Sequence, residues 1–487
     1  MNCNLRICIT ILLIISALDI KAQRFFFQQS KHYDIEMQSI LAKDTNCTMS
    51  NLKPVYILSE KYKFVPDSQK LSFRQWIVRH LFNDDFLKFH GNYFNLTINP
   101  IAHFEINFQK DENPRKNYYT NTRGFELFGK LGKRIYFYSD FYENQAFLPH
   151  YQDSIVKYLG VMPGMGVAKA YQDSGWDWAF SDAMLMVEIN KNFKITLANG
   201  KNFIGSGYNS TILSYNAFNY PYLRYDLKFG NFYYTIINAI MQSKGFGFEF
   251  YENRHYKYSS YYIASYKPNP KFEFSIIEGV MWKNTDDNGK YSTKPKFDIF
   301  LPIIFYPTIK YGFNGETNTM IGYDINYTFL KNVKLYHQLN WNGKNSNFYN
   351  KYYGYQIGIH IFDVLFNKLQ NTTLHLQYEY TKNNRENGIK ETDFYHHANS
   401  LTTNDNFDEL DEQYYQANIN YKRFKVETEI IKYPKSINKN LTFRYFLNKI
   451  TKWNIYGGIY QQEYFNKETK IANTYLYGGI SIYPSRF

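Results

Sequence analysis

The sequence predicts an all-β membrane fold: a large antiparallel transmembrane β-barrel of about 16–18 strands behind a small, mainly helical N-terminal periplasmic unit. Three observations predict it. Aromatic residues make up 20% of the 487 residues, as 49 Tyr, 42 Phe and 6 Trp, yet mean hydropathy is −0.51. A helical membrane protein is far more apolar than that, whereas a barrel keeps aromatic girdles outside and a polar lumen inside. From Tyr93 onward, apolar and polar residues alternate with a period of two. Short connections alternate with long polar ones, as expected when one barrel end faces a periplasm and the other the outside.

Residues 1–22 read as a secretory signal peptide. Arg6 supplies the positive n-region, Ile7 to Leu18 the apolar h-region, and Ile20-Lys-Ala22 a small-residue cleavage site before Gln23. That apolar run is shorter than the ~20 residues of a spanning helix, and no later segment reaches that length. Residues 23–92 read as a mainly helical periplasmic segment. Apolar residues recur at helical spacing at Tyr33, Met37, Ile40 and Leu41, then at Phe73, Trp76, Ile77 and Leu81 with Ser72 as N-cap. Leu52 to Val65, between them, is irregular or extended. Two short helices bury little alone, so their apolar faces need a partner. Cys3 and Cys8 leave with the signal, so Cys47 is single and no intramolecular disulfide can form.

Residues 93–487 read as the barrel. His103-Phe-Glu-Ile-Asn-Phe-Gln109 puts Phe104, Ile106 and Phe108 on one face and His103, Glu105, Asn107 and Gln109 on the other. Ile321 to Phe329, Tyr353 to Ile361 and Leu374 to Tyr380 repeat that pattern. A soluble antiparallel sandwich alternates too. Connection lengths separate the two: Leu330–Val333, Lys422–Arg423 and Asn448–Thr451 are short, while Asn342–Asn347, Lys382–Glu412 and Asn466–Lys470 are longer and polar. Irregular inserts fall near 145–180 and 199–222. The second is the most distinctive. The strand Phe193-Lys-Ile-Thr-Leu197 runs into Gly200, Gly205 and Gly207, then into Asn, Ser and Tyr up to Pro221. That stretch is too polar for a strand and too aromatic for a linker. The final run, Tyr475 to Phe487, resembles the C-terminal signal read by the barrel-assembly machinery, although Ser481, Pro484 and Ser485 interrupt its pattern.

The net charge of +13 is scattered, with no basic run of five or more, so no nucleic-acid groove is expected. Outer-membrane lipid headgroups or an acidic polysaccharide suit it better. No catalytic set is expected. Ser210, Ser214 and His255 share no spacing pattern, Gly164-Met-Gly166 and Gly205-Ser-Gly207 lack the full nucleotide motifs, and Asp286-Asp-Asn-Gly289 lacks the distal Glu of a calcium loop. His396-His397 lacks a third spaced ligand, so neither metal nor cofactor is expected. The remaining candidate is binding. Trp176, Trp178, Asn202, Tyr208, Asn216, Tyr222 and Arg224 combine aromatic faces with amide and guanidinium donors, the chemistry a sugar's C–H face and hydroxyl rim require. On composition alone, the same aromatics are better read as wall and girdle packing.

The run Gly200-Lys-Asn-Phe-Ile-Gly-Ser-Gly-Tyr-Asn-Ser-Thr-Ile-Leu-Ser-Tyr-Asn-Ala217 resembles the signature segment of the capsule-assembly Wzi family, closest to its Bacteroidetes gliding-motility RemB-like branch. Asn121-Thr-Arg-Gly124, Phe141-Tyr-Glu-Asn-Gln145, Met162-Pro-Gly-Met-Gly166, Pro302-Ile-Ile-Phe-Tyr306 and Tyr353-Gly-Tyr-Gln-Ile-Gly358 match in the same order. Ser206 departs from that pattern, which has an acidic residue there. The resemblance implies an outer-membrane barrel with helices at its periplasmic side. It also implies a non-enzymatic role in assembling or retaining surface polysaccharide, or in motility and adhesion. A diffusion porin and an outer-membrane hydrolase are the competing expectations.

Overall fold

The structure is a computed structural model. It describes residues 49–55, 73–82, 84–109, 118–242, 256–282, 297–311, 317–330, 332–343, 353–363, 372–384, 396–397, 400–401, 409–448, 453–465 and 470–482. The expected signal peptide, the first expected helix and Cys47 lie outside these residues.

Eighteen long strands close into one antiparallel barrel. They are β1 (Phe94–Gln109), β2 (Tyr118–Leu131), β3 (Ile135–Phe147), β4 (Gly175–Asn190), β5 (Phe193–Gly200) and β6 (Tyr220–Phe229). Next come β7 (Phe232–Gln242), β8 (Tyr256–Asn269), β9 (Phe272–Trp282), β10 (Thr317–Phe329), β11 (Val333–Gly343) and β12 (Tyr353–Phe362). The last are β13 (Thr372–Asn384), β14 (Glu409–Tyr421), β15 (Phe424–Tyr433), β16 (Ser436–Asn448), β17 (Trp453–Phe465) and β18 (Lys470–Ile482). Each strand pairs with the next, and β18 returns to β1 from Tyr475↔Gln109 to Ile482↔Ala102. Closure leaves no long edge, which is what lets a sheet stand in lipid.

The two faces are inverted relative to a soluble barrel. Phe104, Phe108, Ile357, Tyr378, Ile455 and Leu476 are exposed, while His103, Asn107, Gln356, Glu379, Asn454 and Ser481 are buried. Apolar side chains therefore face outward and polar ones inward, as a lipid surround and a polar lumen demand. No described helix is long and apolar enough to cross a membrane. Connections at one end are tight, as at 132–134, 191–192, 230–231, 270–271 and 422–423. At the other end they are long at 148–174, 201–219, 283–316 and 385–408, with 434–435 and 466–469 as short exceptions. Gly132 and Gly230 hold positive φ in these tight turns (58° and 61°), the conformation glycine adopts at no steric cost.

Two features modify the plain barrel. At the seam, the first half of β1 extends past the end of β18. There the short strand Leu87–His90 pairs antiparallel with Asn95–Ile98 and continues the wall. It is preceded by α1 (Phe73–Phe82), which spans the second helical pattern. Phe82 stacks on Trp453 (5.3 Å), and the Asn448 amide donates to the carbonyls of Leu81 (3.3 Å) and Asp84 (3.0 Å).

On the outside of β7–β9, the segment 297–311 folds back over the wall. Outward-facing Ile236, Tyr262, Val280 and Trp282 are buried there, with Ile304 and Tyr311 packed on them. Glu278 also faces outward by strand parity, yet it is fully buried. Its carboxyl accepts from Phe305 N, Thr308 N (3.1 Å) and the Thr308 hydroxyl at the head of the short helix α3 (Tyr306–Tyr311). Phe300, Ile303 and Ile309 then present an exposed apolar surface in place of the wall they cover.

Candidate functional site in the barrel lumen

The lumen is occupied by the chain itself. Between β5 and β6, residues 201–219 leave the long-loop end and turn inward, where nearly every side chain is buried. They meet residues 49–55, which lie in the lumen toward the tight-turn end. Leu52–Lys53 pairs antiparallel with Phe203–Ile204, and Gly205 N donates to Asn51 O at 2.6 Å. The Lys53 ammonium, fully buried, sits 4.3 Å from the Phe203 ring centroid. Ser50 N donates to both oxygens of Glu273 (3.2 Å each), which also accepts from Lys267 (3.1 Å). Lys334 joins the two segments, donating to Ser50 Oγ (3.1 Å) and Ser206 Oγ (3.0 Å).

From Ser206 the insert climbs the far wall, and irregular backbone there demands partners. Wall side chains supply them. His360 Nε2 contacts Ser206 O at 2.9 Å. The Glu379 carboxyl accepts from Tyr208 N (2.7 Å) and Asn209 N (3.3 Å), while Gln356 Nε2 donates to Asn209 O (2.7 Å). Gln338 closes both sides of the loop: its Nε2 donates to Ile204 O (2.9 Å) and its Oε1 accepts from Thr211 N (2.9 Å). Asn340 Nδ2 donates to Thr211 O (2.8 Å), and Asn209 Nδ2 to Glu412 (2.8 Å). These partners sit on β11–β14, across the barrel from the insert's own strands.

The Gly-Ser-Gly spacing now has a physical reason. A Cβ at Gly207 would stand 2.2 Å from Glu379 Oε2 and 2.7 Å from Gln356 Oε1, so a side chain would break the contact that anchors the loop. The long connection 148–174 seats the other end of the insert. Its helix α2 (His150–Leu159) ends at Gly160 in the left-handed region (φ 69°), and a small hairpin pairs Val161–Met162 with Gly166–Val167. Lys201 donates to the Gly164 carbonyl in that hairpin and to Tyr215 O (3.0 Å), and Val161 packs on Phe218.

The seven sequence-predicted binding residues all fall on this machinery. Trp178 is buried among Ala146, Leu148, Val156 and Ala168, with its indole N–H on Met165 Sδ (3.1 Å). Trp176 is half-buried and donates to Asp153 of α2 (2.9 Å). Asn202 is fully buried, its backbone N–H donating to Tyr220 Oη (3.2 Å). Tyr208 stacks on Tyr414 at 3.8 Å and 11°. Asn216 is buried, its N–H on Ser214 Oγ (3.2 Å). Tyr222 is buried in the wall, and Arg224 pairs with Asp226 (2.9 Å) and donates to Pro54 O (3.2 Å). They seat the plug and do not form one open surface.

Ser210 Oγ donates to Ile204 O and receives the N–H groups of Ile212 and Leu213, a turn-stabilising pattern. His255 and Asp286–Gly289 lie outside the described residues; His396–His397 pairs with Ser400–Leu401 in a small hairpin. Among the described residues, no group of three His, Cys, Asp or Glu is placed to hold a metal. Sequence reasoning missed Gln338, Glu379 and Glu412. Alternation puts them on the inward face, but nothing local says what they meet there.

No protein-family model matches the chain, and no curated protein matches it. Among solved structures the fold is similar to Wzi of Escherichia coli, described as an outer membrane protein involved in group 1 capsule assembly and a carbohydrate binding β-barrel. The TM-score is 0.54 at 10% identity, over 94% of this chain and 99% of that one. A BenF-like porin from Pseudomonas fluorescens gives 0.43 at 7% identity (80% and 98% covered), and OccAB4 of Acinetobacter baumannii 0.41 at 9% (80% and 98%). The chain is an outer-membrane-type β-barrel.

Proposed function

We propose that this protein binds, and helps to assemble or retain, a cell-surface polysaccharide at the outer membrane, without catalysing a reaction. The supporting observation is the occupied lumen. The insert and residues 49–55 meet inside the barrel and are hydrogen-bonded to the wall from Glu273 round to Glu412. A diffusion channel needs a continuous water path, whereas this arrangement supplies a rigid barrel whose inner wall and outer loops can hold a ligand. Polar side chains and aromatic faces inside it suit a hydroxyl-rich chain. The likeness to a carbohydrate-binding barrel contributes a class by analogy, and the site contributes the argument.

Two measurements test it. In planar bilayers the intact protein is expected to show no stable open pore, and a variant lacking residues 202–218 to conduct. A stable pore in the intact protein would favour the porin reading and sink this one. A deletion strain is expected to lose surface glycan with gliding intact; the reverse result favours the motility role.

A further inference from the structure

The two ends of the barrel differ in charge. Read from the sequence, the eight connections between strands at the tight-turn end hold ten Lys or Arg and a single acidic residue, Asp363. The nine at the long-loop end hold nineteen basic against sixteen acidic residues. Asp363 is only 9% exposed and its carboxyl accepts from Leu374 N (2.9 Å), so it offsets little of the excess at the surface.

Among the described residues, Lys133, Arg134, Lys191, Lys271 and Lys422 in these turns are exposed, and none is ion-paired. At the other end the lysines are matched by carboxylates, as in Lys157–Asp153 (2.7 Å), Lys310–Asp298 (2.8 Å) and Lys439–Glu463 (3.0 Å). The depth of the unmatched cations is equally specific. Leu131, Ile189, Phe229, Phe232, Tyr421 and Phe424 flank the tight turns and are 42–63% exposed on the outer face. The Lys422 ammonium stands 5.2 Å from the Tyr421 ring centroid. The Arg134 guanidinium donates to Ile189 O (3.1 Å), linking the turn at 132–134 to its neighbour at 191–192. Glu188, beside that link, accepts from the buried Tyr136 hydroxyl (3.4 Å) on the inward side. Cations therefore ring the edge of an apolar belt, the depth at which lipid headgroups lie.

We propose that the tight-turn rim is a collar for the phosphates of anionic phospholipids in the leaflet it meets, which for an outer-membrane barrel is the periplasmic one. Neighbouring tight turns are two strand spacings apart, roughly 10 Å, so the cations make separate contacts around the barrel and do not converge on one small anion. A soluble polyanion reaches the turn tips but gains nothing from the exposed apolar side chains just above them; a phospholipid uses both. The collar does not depend on what the lumen holds, and it goes beyond the function proposed above.

The test counts lipids bound to the full-length barrel by native mass spectrometry, from detergent micelles holding equal amounts of phosphatidylglycerol and phosphatidylcholine. The parent is expected to retain phosphatidylglycerol at least about fivefold over phosphatidylcholine, the effect of one Lys or Arg at an anionic surface. A variant carrying Lys133→Gln, Arg134→Gln, Lys191→Gln, Lys271→Gln and Lys422→Gln is expected to bind the two within about twofold of each other. Neutralising Lys157, Lys310 and Lys439 at the opposite end is expected to leave the preference unchanged. Heat-modifiable gel mobility confirms that each barrel is closed. Equal binding of the two lipids by the parent overturns the collar, and so does a preference that survives the five substitutions. Displacement of phosphatidylglycerol by excess inorganic phosphate at matched ionic strength also overturns it, because the rim would then recognise the ion and not the lipid. Sedimentation with purified peptidoglycan that the five substitutions abolish, without any lipid preference, would assign the rim to the cell wall instead.

Discussion

Two irregular segments cross the depth of this barrel, one inside and one outside, and they solve the same problem. Residues 201–219 run through the lumen and residues 297–311 over the lipid-facing wall. Each hangs on a wall glutamate whose carboxyl accepts consecutive or near-consecutive backbone amides: Glu379 for Tyr208 and Asn209, Glu278 for Phe305 and Thr308. The surroundings differ. Glu379 stands in a network with the Tyr336 hydroxyl (2.6 Å), Gln356 (2.8 Å) and Thr381 (3.1 Å), on the polar inward face of the wall. Glu278 stands on the outward face beside the wall tyrosines Tyr234 and Tyr262, under a flap whose Phe300, Ile303 and Ile309 are exposed. Irregular backbone at membrane depth is tolerated where protein or water satisfies it, and the flap has protein alone.

The largest effect that follows is an asymmetry between the two anchors. Leucine at either position orphans two buried amides, at about 1–3 kcal/mol each when nothing replaces the acceptor. Water can re-enter the lumen, so Glu379→Leu should sit at the low end, with a barrel that closes but a plug that becomes protease-sensitive. Glu278→Leu should sit at the high end, measured as a lower urea midpoint in lipid vesicles. Equal losses would break the comparison. Next comes Gly207→Ala. Its Cβ collides with Glu379 and Gln356, so overpacking of about 1–3 kcal/mol is expected, with the same plug-release signature as Glu379→Leu. An alanine at Gly132, where nothing lies within 4 Å, strains only the turn and should leave the plug intact. The smallest effect is Tyr208→Leu. It removes a stack on Tyr414 worth about 0.5–1.5 kcal/mol and should raise plug mobility without releasing it, as read by hydrogen exchange at Asn209 to Thr211.

The barrel itself was legible because its signals are local. Period two in Phe104–Asn107–Phe108 or Leu374–Glu379–Tyr380 states which side faces lipid, and the turn lengths state which end is which. The insert was legible as an interruption, since Gly205 and Gly207 end the alternation. Its destination was not. Glu379 is separated from Tyr208 by more than 170 residues, and no pattern near either one encodes the contact. The binding candidates around the insert show the same limit. Aromatic and amide side chains suit sugar and suit plug packing alike, and burial of Trp178, Asn202 and Tyr222 was decided by which wall they met. The flap did leave a trace. Ile276 to Trp282 is apolar or glycine at both parities apart from Glu278, the signature of a strand covered on both faces.

The short strand at the seam bears on how the barrel can close. When the last strand arrives, half of the edge it must dock on is already taken: Leu87–His90 holds Asn95–Ile98, and only Ala102 to Gln109 is open. A two-residue slip, the usual error of a period-two edge because it keeps every side chain on its proper face, would push Ile482 toward positions the hairpin guards. The hairpin, built from residues close in sequence, bounds the stretch of β1 on which the end of the chain can dock.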